Sequence, residues 1–229
     1  MKRLIKLLLD FGFLGVIKTI KFNLMYFPLR EGIYMPVFLT SKVKVHNMGK
    51  NRIILHEVGK RKTGLLRIGF LDRDIDKPSS LNIKGTIILR GCGVRSIAPG
   101  AIIYVREMAI LEINESLSVS FDLKLRCSNK IVIGKDNMWS QYNVVMDSDA
   151  HTIYDENGEH INNNKEIIFG DHVWLGCRCI VLKGSKIADG SVIGSGSLVK
   201  KQVEIDNAIY GGVGPILLKK NIRWDRKTI

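Results

Sequence analysis

A strict period of six residues governs the hydrophobic positions in the second half of the chain. Large apolar residues recur without a slip, and a small residue or glycine follows most of them; the positions are Phe169, Leu175, Val181, Ile187, Ile193 and Val199. Six fits neither the 3.6-residue period of a helix nor the two-residue period of a strand. It is typical of short extended segments joined by regular corners. We therefore predict a solenoid whose large residues point inward and whose coils stack about 4.8 Å apart.

The repeat extends towards the N terminus with changes of register. Large apolar residues hold two registers that differ by two residues: Ile113, Val119 and Leu125 in the first, and Ile133, Trp139 and Val145 in the second. A shift of this kind predicts a bulge near Ser128 and Asn129. Further upstream the segments are rich in β-branched residues and predict strands.

Several segments fall outside the repeat. Residues 1–27 predict one or two helices, and the polar stretch 148–166 predicts a loop that leaves the coil. A long polar loop on a regular scaffold is often functional. After a glycine-rich turn, residues 216–224 predict a short basic helix. The predicted organisation is an N-terminal helical and basic segment (1–40), a repeat domain (41–210) that carries the loop, and a C-terminal turn and helix (211–229).

Composition and charge narrow the classes of protein. Hydrophobic residues make up 45% and charged residues 25% of the 229, which is typical of a folded chain. The net charge is +13, and residues 1–75 hold 15 basic against 5 acidic side chains. This excess indicates an anionic partner (nucleic acid, phospholipid, or a charged substrate or cofactor) or a solvated basic face.

Cysteine usage and the apolar runs bear on location. Four cysteines form neither a disulfide framework nor a CxxC pair, which favours reduced thiols in a cytoplasmic protein. The chain begins with a basic head, but Lys6 and Asp10 interrupt the apolar stretch and no cleavage site follows, so a secretory signal is not expected. The apolar run near the start is too short for a transmembrane helix.

Two stretches of the repeat carry a family resemblance. Residues 170–176 read GDHVWLG and residues 192–199 read VIGSGSLV. They resemble the hexapeptide-repeat acyltransferases, most closely the branch with galactoside, maltose and antibiotic acetyltransferases and the O-acetyltransferases of bacterial surface polysaccharides. The resemblance implies an all-β solenoid, a left-handed parallel β-helix, a homotrimer and acetyl-CoA as co-substrate, with no metal. The left hand comes from the resemblance alone, because crossover connections are ordinarily right-handed.

The resemblance also implies a catalytic base. A sugar hydroxyl needs a general base to attack a thioester, and histidine suits this task near neutral pH. The segment from Asn143 to His151 is similar to the family's Asn, Asp and His arrangement, which implies that His151 is the base and that Asn143 faces the acceptor or supports the site. The alternatives are a surface-loop histidine and an asparagine within the coil. His160 could touch substrate, whereas His172 is interpreted as a turn residue.

Three further residues are candidates for substrate binding. Asp147 and Asp149 would orient His151 or its loop, although turn chemistry explains both carboxylates equally well. Trp174 resembles a tryptophan at the rim of the family's cleft, where it would contact the acceptor or pantetheine. Packing at a subunit interface is the alternative for Trp174, and Trp139 and Tyr142 are expected on the same exterior.

Four residues match positions that bind CoA in the family. Cys177 and Ser195 are 18 residues apart, one implied coil, so their amides would stack along one edge. Lys200 and Lys201 would meet the phosphates of CoA as flexible point charges. The family's basic residue after the coil is missing from the segment 212–216, and Lys219 and Lys220 are the nearest cations.

The expected activity is transfer of an acetyl group from acetyl-CoA to a sugar or surface-polysaccharide precursor. An amino-sugar N-acetyltransferase and a non-catalytic β-helix scaffold remain as alternatives. The sequence lacks the third histidine that a γ-class carbonic anhydrase needs and the glycine-rich loop that a nucleotidyltransferase needs. It also contains no nucleic-acid-binding motif. Residues 1–27 would cap the open end of the β-helix, the favoured interpretation, or would lie peripherally on an anionic membrane.

Overall fold

Three parallel sheets run side by side along the chain. The computed structural model describes residues 2–60, 63–70 and 77–227, and describes the backbone but not the side chains before residue 11. Successive strands enter the three sheets in turn, so each circuit of three strands forms one coil. Nearly every pairing is parallel and in register with the coil before it. The architecture is a parallel β-helix, as the six-residue period predicts.

The strands are short, and the described part of the chain places nine in sheet A and seven in each of sheets B and C. Sheet A contains β1 Val37–Leu39, β4 Leu66–Ile68, β7 Arg95–Ile97, β10 Ser118–Val119, β13 Met138–Trp139, β16 Trp174–Leu175, β19 Val192–Ile193, β22 Ile209–Gly211 and β23 Ile216–Lys219. Sheet B contains β2 Val43–His46, β5 Ser79–Ile83, β8 Ile102–Val105, β11 Lys124–Cys127, β14 Val144–Met146, β17 Ile180–Leu182 and β20 Leu198–Val199. Sheet C contains β3 Ile53–His56, β6 Thr86–Arg90, β9 Ile110–Ile113, β12 Lys130–Ile133, β15 Ile167–Phe169, β18 Lys186–Ile187 and β21 Gln202–Val203.

The large residue of each hexapeptide points into the coil. All six repeat positions from Phe169 to Val199 are buried, and they join one continuous core. Trp139 also points inward and packs on Phe169 with ring centroids 4.6 Å apart. The prediction that Trp139 lies on the exterior is therefore wrong, because it occupies a repeat position. Tyr142 is exposed, as predicted.

The register shift near Ser128 arises without a bulge. Four-residue strands β11 and β12 flank a corner at Ser128 and Asn129, so the two extra residues lengthen the strands. Both strands stay in continuous register with their neighbours. In the described part of the chain, the only register irregularity within the sheets lies between Ile209 and Tyr210. The predicted bulge is wrong because strand length absorbs the shift.

The C-terminal segment is a strand and a strap, so the short helix predicted for residues 216–224 is wrong. Gly212 and Gly214 have φ values of 95° and 66° and reverse the chain, which lets β23 pair antiparallel with the free edge of β22. The chain then returns across the coil corner between sheets C and A. Trp224 stacks on His172 with centroids 3.8 Å apart, and Arg226 donates to the Asp136 carboxylate at 2.6 Å.

Two helices precede the β-helix, as predicted. Helix α1 spans Lys2–Tyr26 with a kink at Gly12, where φ is 65°, and α2 spans Leu29–Gly32. None of the helices in the described part of the chain is long and apolar enough to cross a membrane. The first strand begins at Val37, so the β-helix starts slightly earlier than the expected boundary at residue 41.

Helix α1 covers the open edge of β1 with two side chains. The Thr19 hydroxyl donates to the carbonyl of Leu39 and accepts from its N–H, at 3.1 and 3.0 Å. One turn later, the Asn23 amide donates to the carbonyl of Val37 and accepts from its N–H, at 2.6 and 3.1 Å. Both side chains are buried and take the place of the missing preceding strand. The helix therefore caps the β-helix, because an unpaired buried edge would leave these groups unsatisfied.

We expect Asn23→Ala to destabilise the protein by about 1–3 kcal/mol, because it leaves the buried N–H and C=O of Val37 without partners. Urea denaturation would measure the change. Lys21→Ala is the matched control, since Lys21 lies on the exposed side of the same helix. Equal stability of the two variants would contradict the cap.

Candidate active site

A long loop leaves the coil at the corner between sheets B and C. It runs from residue 147 to residue 166, between β14 and β15. His151 lies exposed near its start, directly after Ala150, whose φ is 66°. The backbone N–H of His151 donates to the carbonyl of Asp149 at 2.8 Å. A tight turn thus presents the imidazole to the exterior.

Asn162 is the centre of the hydrogen bonding that folds this loop back on itself. Its side-chain oxygen accepts the N–H of Ile153 at 2.7 Å and lies 3.0 Å from a ring nitrogen of His160. Its amide group donates to the carbonyl of His151 at 2.8 Å and to the Asp149 carboxylate at 3.0 Å. One side chain therefore fixes both the backbone of His151 and the segment that follows it.

Lys183 ties the loop to the next coil. Its ammonium lies 2.5 Å from the Asp149 carboxylate and 2.9 Å from the carbonyl of Asn162. The contacts with Lys183 and then with Asn162 lower the pKa of Asp149. Because the folded pKa lies below the ordinary value near 3.9, this tie is present at neutral pH and is lost only as the pH falls through the lowered pKa. Asp149 therefore positions the loop.

Asp147 acts within the coil, which corrects its assignment as a substrate-binding residue. It has no exposed surface. Its carboxylate accepts the N–H groups of Ser128 and Asn129 at 2.6 and 2.8 Å. The nearby Cys127 thiol has a raised pKa, first because of burial and second because of the Asp147 charge. Asp147 holds the corner of the preceding coil, as its turn interpretation predicts.

Asn143 is likewise buried within the coil. Its amide group donates to the carbonyl of Ser140 at 2.8 Å, and its side-chain oxygen accepts the N–H of Cys179 at 2.7 Å. With no exposed surface, the side chain does not face an acceptor. Of the two roles that the family resemblance implies, the structure is compatible only with support of the site.

Cys177 and Ser195 line an open groove at the corner between sheets A and B. The groove has a volume of about 390 Å³, and its lining is formed by Gln141, Tyr142, Cys177, Arg178, Ser195 and Gly196. The two predicted residues stack one coil apart, since the Cys177 N–H donates to the Ser195 hydroxyl at 3.1 Å. That bond occupies the Cys177 amide, so a ligand here would meet the groove through other groups.

Two cationic side chains near this groove were not predicted from the sequence. The Arg178 guanidinium lies 5.5 Å from the centre of the Tyr142 ring, and the Lys77 ammonium lies 5.8 Å from it. Coil stacking alone brings the three side chains together, because they are far apart in sequence. No motif in the sequence signals this contact.

The structure does not bring all four predicted CoA residues together within one chain. Lys200 and Lys201 lie exposed between β20 and β21, at the corner between sheets B and C. This is the corner that carries the His151 loop, whereas Cys177 and Ser195 lie at the other edge of sheet B. The two halves of the predicted site are therefore separated by a sheet.

Trp174 lies half-buried on the outer face of sheet A. Its indole N–H is 3.4 Å from the hydroxyl of Ser140, which precedes the groove residue Gln141. Its ring centre is 5.9 Å from that of Trp224 in the C-terminal strap. His172 lies under the same strap and contacts Asp136 at 2.6 Å, in keeping with its interpretation as a turn residue. Trp174 thus lies on sheet A between the groove and the strap.

Among the residues that the structure describes, no group of three or more His, Cys, Asp or Glu side chains is arranged to hold a metal ion.

Comparisons with known proteins agree with the repeat. Residues 166–201 match the family model "Bacterial transferase hexapeptide (six repeats)". A polysialic acid O-acetyltransferase of Neisseria meningitidis is 41% identical over 99 residues, which are 43% of this chain and 46% of that protein. A galactoside O-acetyltransferase of Lactococcus lactis is 36% identical over 104 residues, 45% of this chain and 49% of that protein.

These matches confirm the resemblance to the hexapeptide-repeat acyltransferases, and the three parallel sheets agree with the β-helix that this resemblance implies. The chain spans about half the length of the curated relatives it matches. Among solved structures, the polySia-specific acetyltransferase NeuO is 23% identical with a TM-score of 0.47, covering 82% of this chain and 91% of its own.

We expect Asn162→Ala to loosen the loop while the coil stays folded. Loss of the bonds to Ile153, Asp149 and His151 should raise the rate of proteolytic cleavage within residues 148–165 by about tenfold. Asn163→Ala is the matched control, because the neighbouring Asn163 is exposed. Identical cleavage of the two variants would contradict the role of Asn162.

Proposed function

We propose that the protein transfers an acetyl group from acetyl-CoA to a hydroxyl group of a sugar or surface-polysaccharide precursor, with His151 as general base. The single observation that carries this proposal is the exposed His151 on a loop that Asn162 and Lys183 tie to a hexapeptide coil. The names of the matched relatives, a polysialic acid O-acetyltransferase and a galactoside O-acetyltransferase, support this proposal.

The proposed chemistry needs one proton carrier. The neutral imidazole of His151 takes the proton of the acceptor hydroxyl as its oxygen attacks the thioester carbonyl. A new C–O bond forms, the C–S bond breaks, and the departing thiolate takes the proton back from the imidazolium. The products are the acetyl ester and CoA, and the histidine returns to its neutral state.

The remaining residues position this group or bind the donor. Asn162 and Asp149 hold the loop, while Asn143 and Asp147 keep the coil corners in place. In the groove, the Arg178 guanidinium offers a cation to a phosphate, which planar guanidinium groups bind well. At the other corner, Lys200 and Lys201 offer further positive charge.

The separation of these two halves supports a homotrimer. A site that uses both the groove and His151 must be completed by a second copy, because sheet B lies between them in one chain. The outer face of sheet B around these coils is apolar, as an interface requires, with the side chains of Val144, Met146, Ile180, Leu182 and Leu198. In the proposed trimer, the groove of one copy faces the loop of its neighbour.

Light scattering should give a mass near three times 25.8 kDa at micromolar concentration. Ile180→Glu should shift the protein towards monomer, because it places a charge on the apolar face. Ile54→Glu is the control, since Ile54 is also exposed but lies on sheet C. A wild-type monomer would contradict the shared site.

The acceptor chemistry is tested with the full-length protein and labelled acetyl-CoA. Surface-polysaccharide precursors with free hydroxyl groups should accept label that mild base removes, as expected of an ester. Base-stable label on an amino sugar would instead indicate an N-acetyltransferase. No thiol release with any sugar would favour the non-catalytic scaffold.

His151→Ala should lower the turnover of acetyl transfer by about 10²- to 10⁴-fold, because the hydroxyl loses its general base. Affinity for CoA should stay nearly unchanged, since the proposed contacts with CoA come from the groove residues and the lysines and not from the imidazole. Thiol release and CoA binding are the two measurements, with the exposed His46→Ala as control. A variant that keeps more than about a tenth of wild-type turnover would show that His151 is not the base.

A further inference from the structure

The N-terminal helices expose an unusually apolar face. We call this the helical face and define it by its exposed large hydrophobic residues: Phe13, Leu14, Ile17, Leu24 and Met25 on α1, Leu29 on α2, and Ile33 and Tyr34 after α2. Phe13 and Leu14 are each 69% exposed, and Leu29 is 71% exposed. Single exposed apolar residues are ordinary, but several along one side of a helix, as on α1, mark a candidate interaction site.

The helical face is opposite the surface that caps the β-helix. At 100° per residue, the exposed residues of α1 after its kink fall within about 120° of the helix circumference. The buried residues Phe11, Gly15, Thr19, Phe22 and Asn23 fall on the other side. Capping therefore accounts for one side of α1 and leaves the exposed apolar side unexplained.

Positive charge accompanies the apolar residues. Lys21 lies within the exposed stripe of α1, and Arg30 is exposed on α2. Lys18 lies at the edge of the stripe, where its ammonium donates to the carbonyl of Ser41 at 2.8 Å. These side chains belong to the first 75 residues, which hold 15 basic and 5 acidic groups.

We propose that the helical face binds the surface of an anionic lipid bilayer. The aromatic and aliphatic side chains would enter the interface, while Lys21 and Arg30 reach the phosphate groups with their apolar stems buried. A second copy of this chain fits less well, because it would bring two basic surfaces together. The proposal is independent of the acetyltransferase function.

Vesicle sedimentation with the full-length protein tests the proposal. The protein should sediment with vesicles of phosphatidylcholine and phosphatidylglycerol at low salt, and should be released as the salt concentration rises. Vesicles of phosphatidylcholine alone should bind at least tenfold less. Leu14→Gln combined with Ile17→Gln should lower binding to anionic vesicles at least tenfold, and Lys21→Gln should lower it by a smaller factor.

Met108→Gln is the matched control, because Met108 is 91% exposed but lies in the β-helix. Urea denaturation of each variant shows that the cap is intact, and Phe13→Ser serves as a second variant if the double variant unfolds. Failure to bind anionic vesicles at low salt would overturn the proposal, as would equal binding by the control and the double variant. Lipid-free self-association that the double variant abolishes, without vesicle binding, would assign the face to a second copy instead.

Discussion

The parallel hydrogen bonding between successive coils is the constraint on which the rest of this structure depends. Each strand within a sheet pairs with the strand one coil before it and the strand one coil after it, so stacking supplies hydrogen-bond partners for the backbone of the inner coils. The stack has two ends, however, and an unpaired buried edge is unfavourable. At β1, the side chains of Thr19 and Asn23 bond to the edge of the strand. At β22, the antiparallel strand β23 pairs with the edge.

The same regularity explains where chemistry can be placed. A coil of fixed register has no room for irregular backbone inside, so insertions leave at corners. The loop that carries His151 leaves between sheets B and C, and its shape comes from polar contacts centred on Asn162 because it has little core of its own. Lys183, which directly follows strand β17 of the coil, then fixes this loop through its bond to the carbonyl of Asn162.

Much of the fold could be predicted from the sequence, because the repeat positions encode the inward side chains directly. The period of six fixed the coil from Phe169 to Val199, and the polar composition of residues 148–166 located the loop. The end of the chain could not be predicted in this way. Residues 216–219 form a strand because β22 offers a free edge. This pairing is a tertiary contact, which the local propensity of the segment does not reveal.

The position of His151 on the exposed loop could be predicted, but the contacts around the candidate site could not. The family resemblance indicated His151 as a candidate base, yet it gave no sign that the side chains of Asp147 and Asn143 bond to backbone groups of neighbouring coils. The contact of Lys77 and Arg178 with Tyr142 was also hidden, since it depends on which residues fall at the same corner of different coils.

The C-terminal strap has a consequence for how the molecule is made. Coils can stack in the order of synthesis, because each needs only the one before it. Arg226 instead bonds to Ser116, Ser118, Asp136 and Asn137, about a hundred residues earlier. These groups stay uncovered while the later coils form, and the strap can close over them only after those coils have been synthesised. A corner formed early is therefore completed by a segment that follows the last coil.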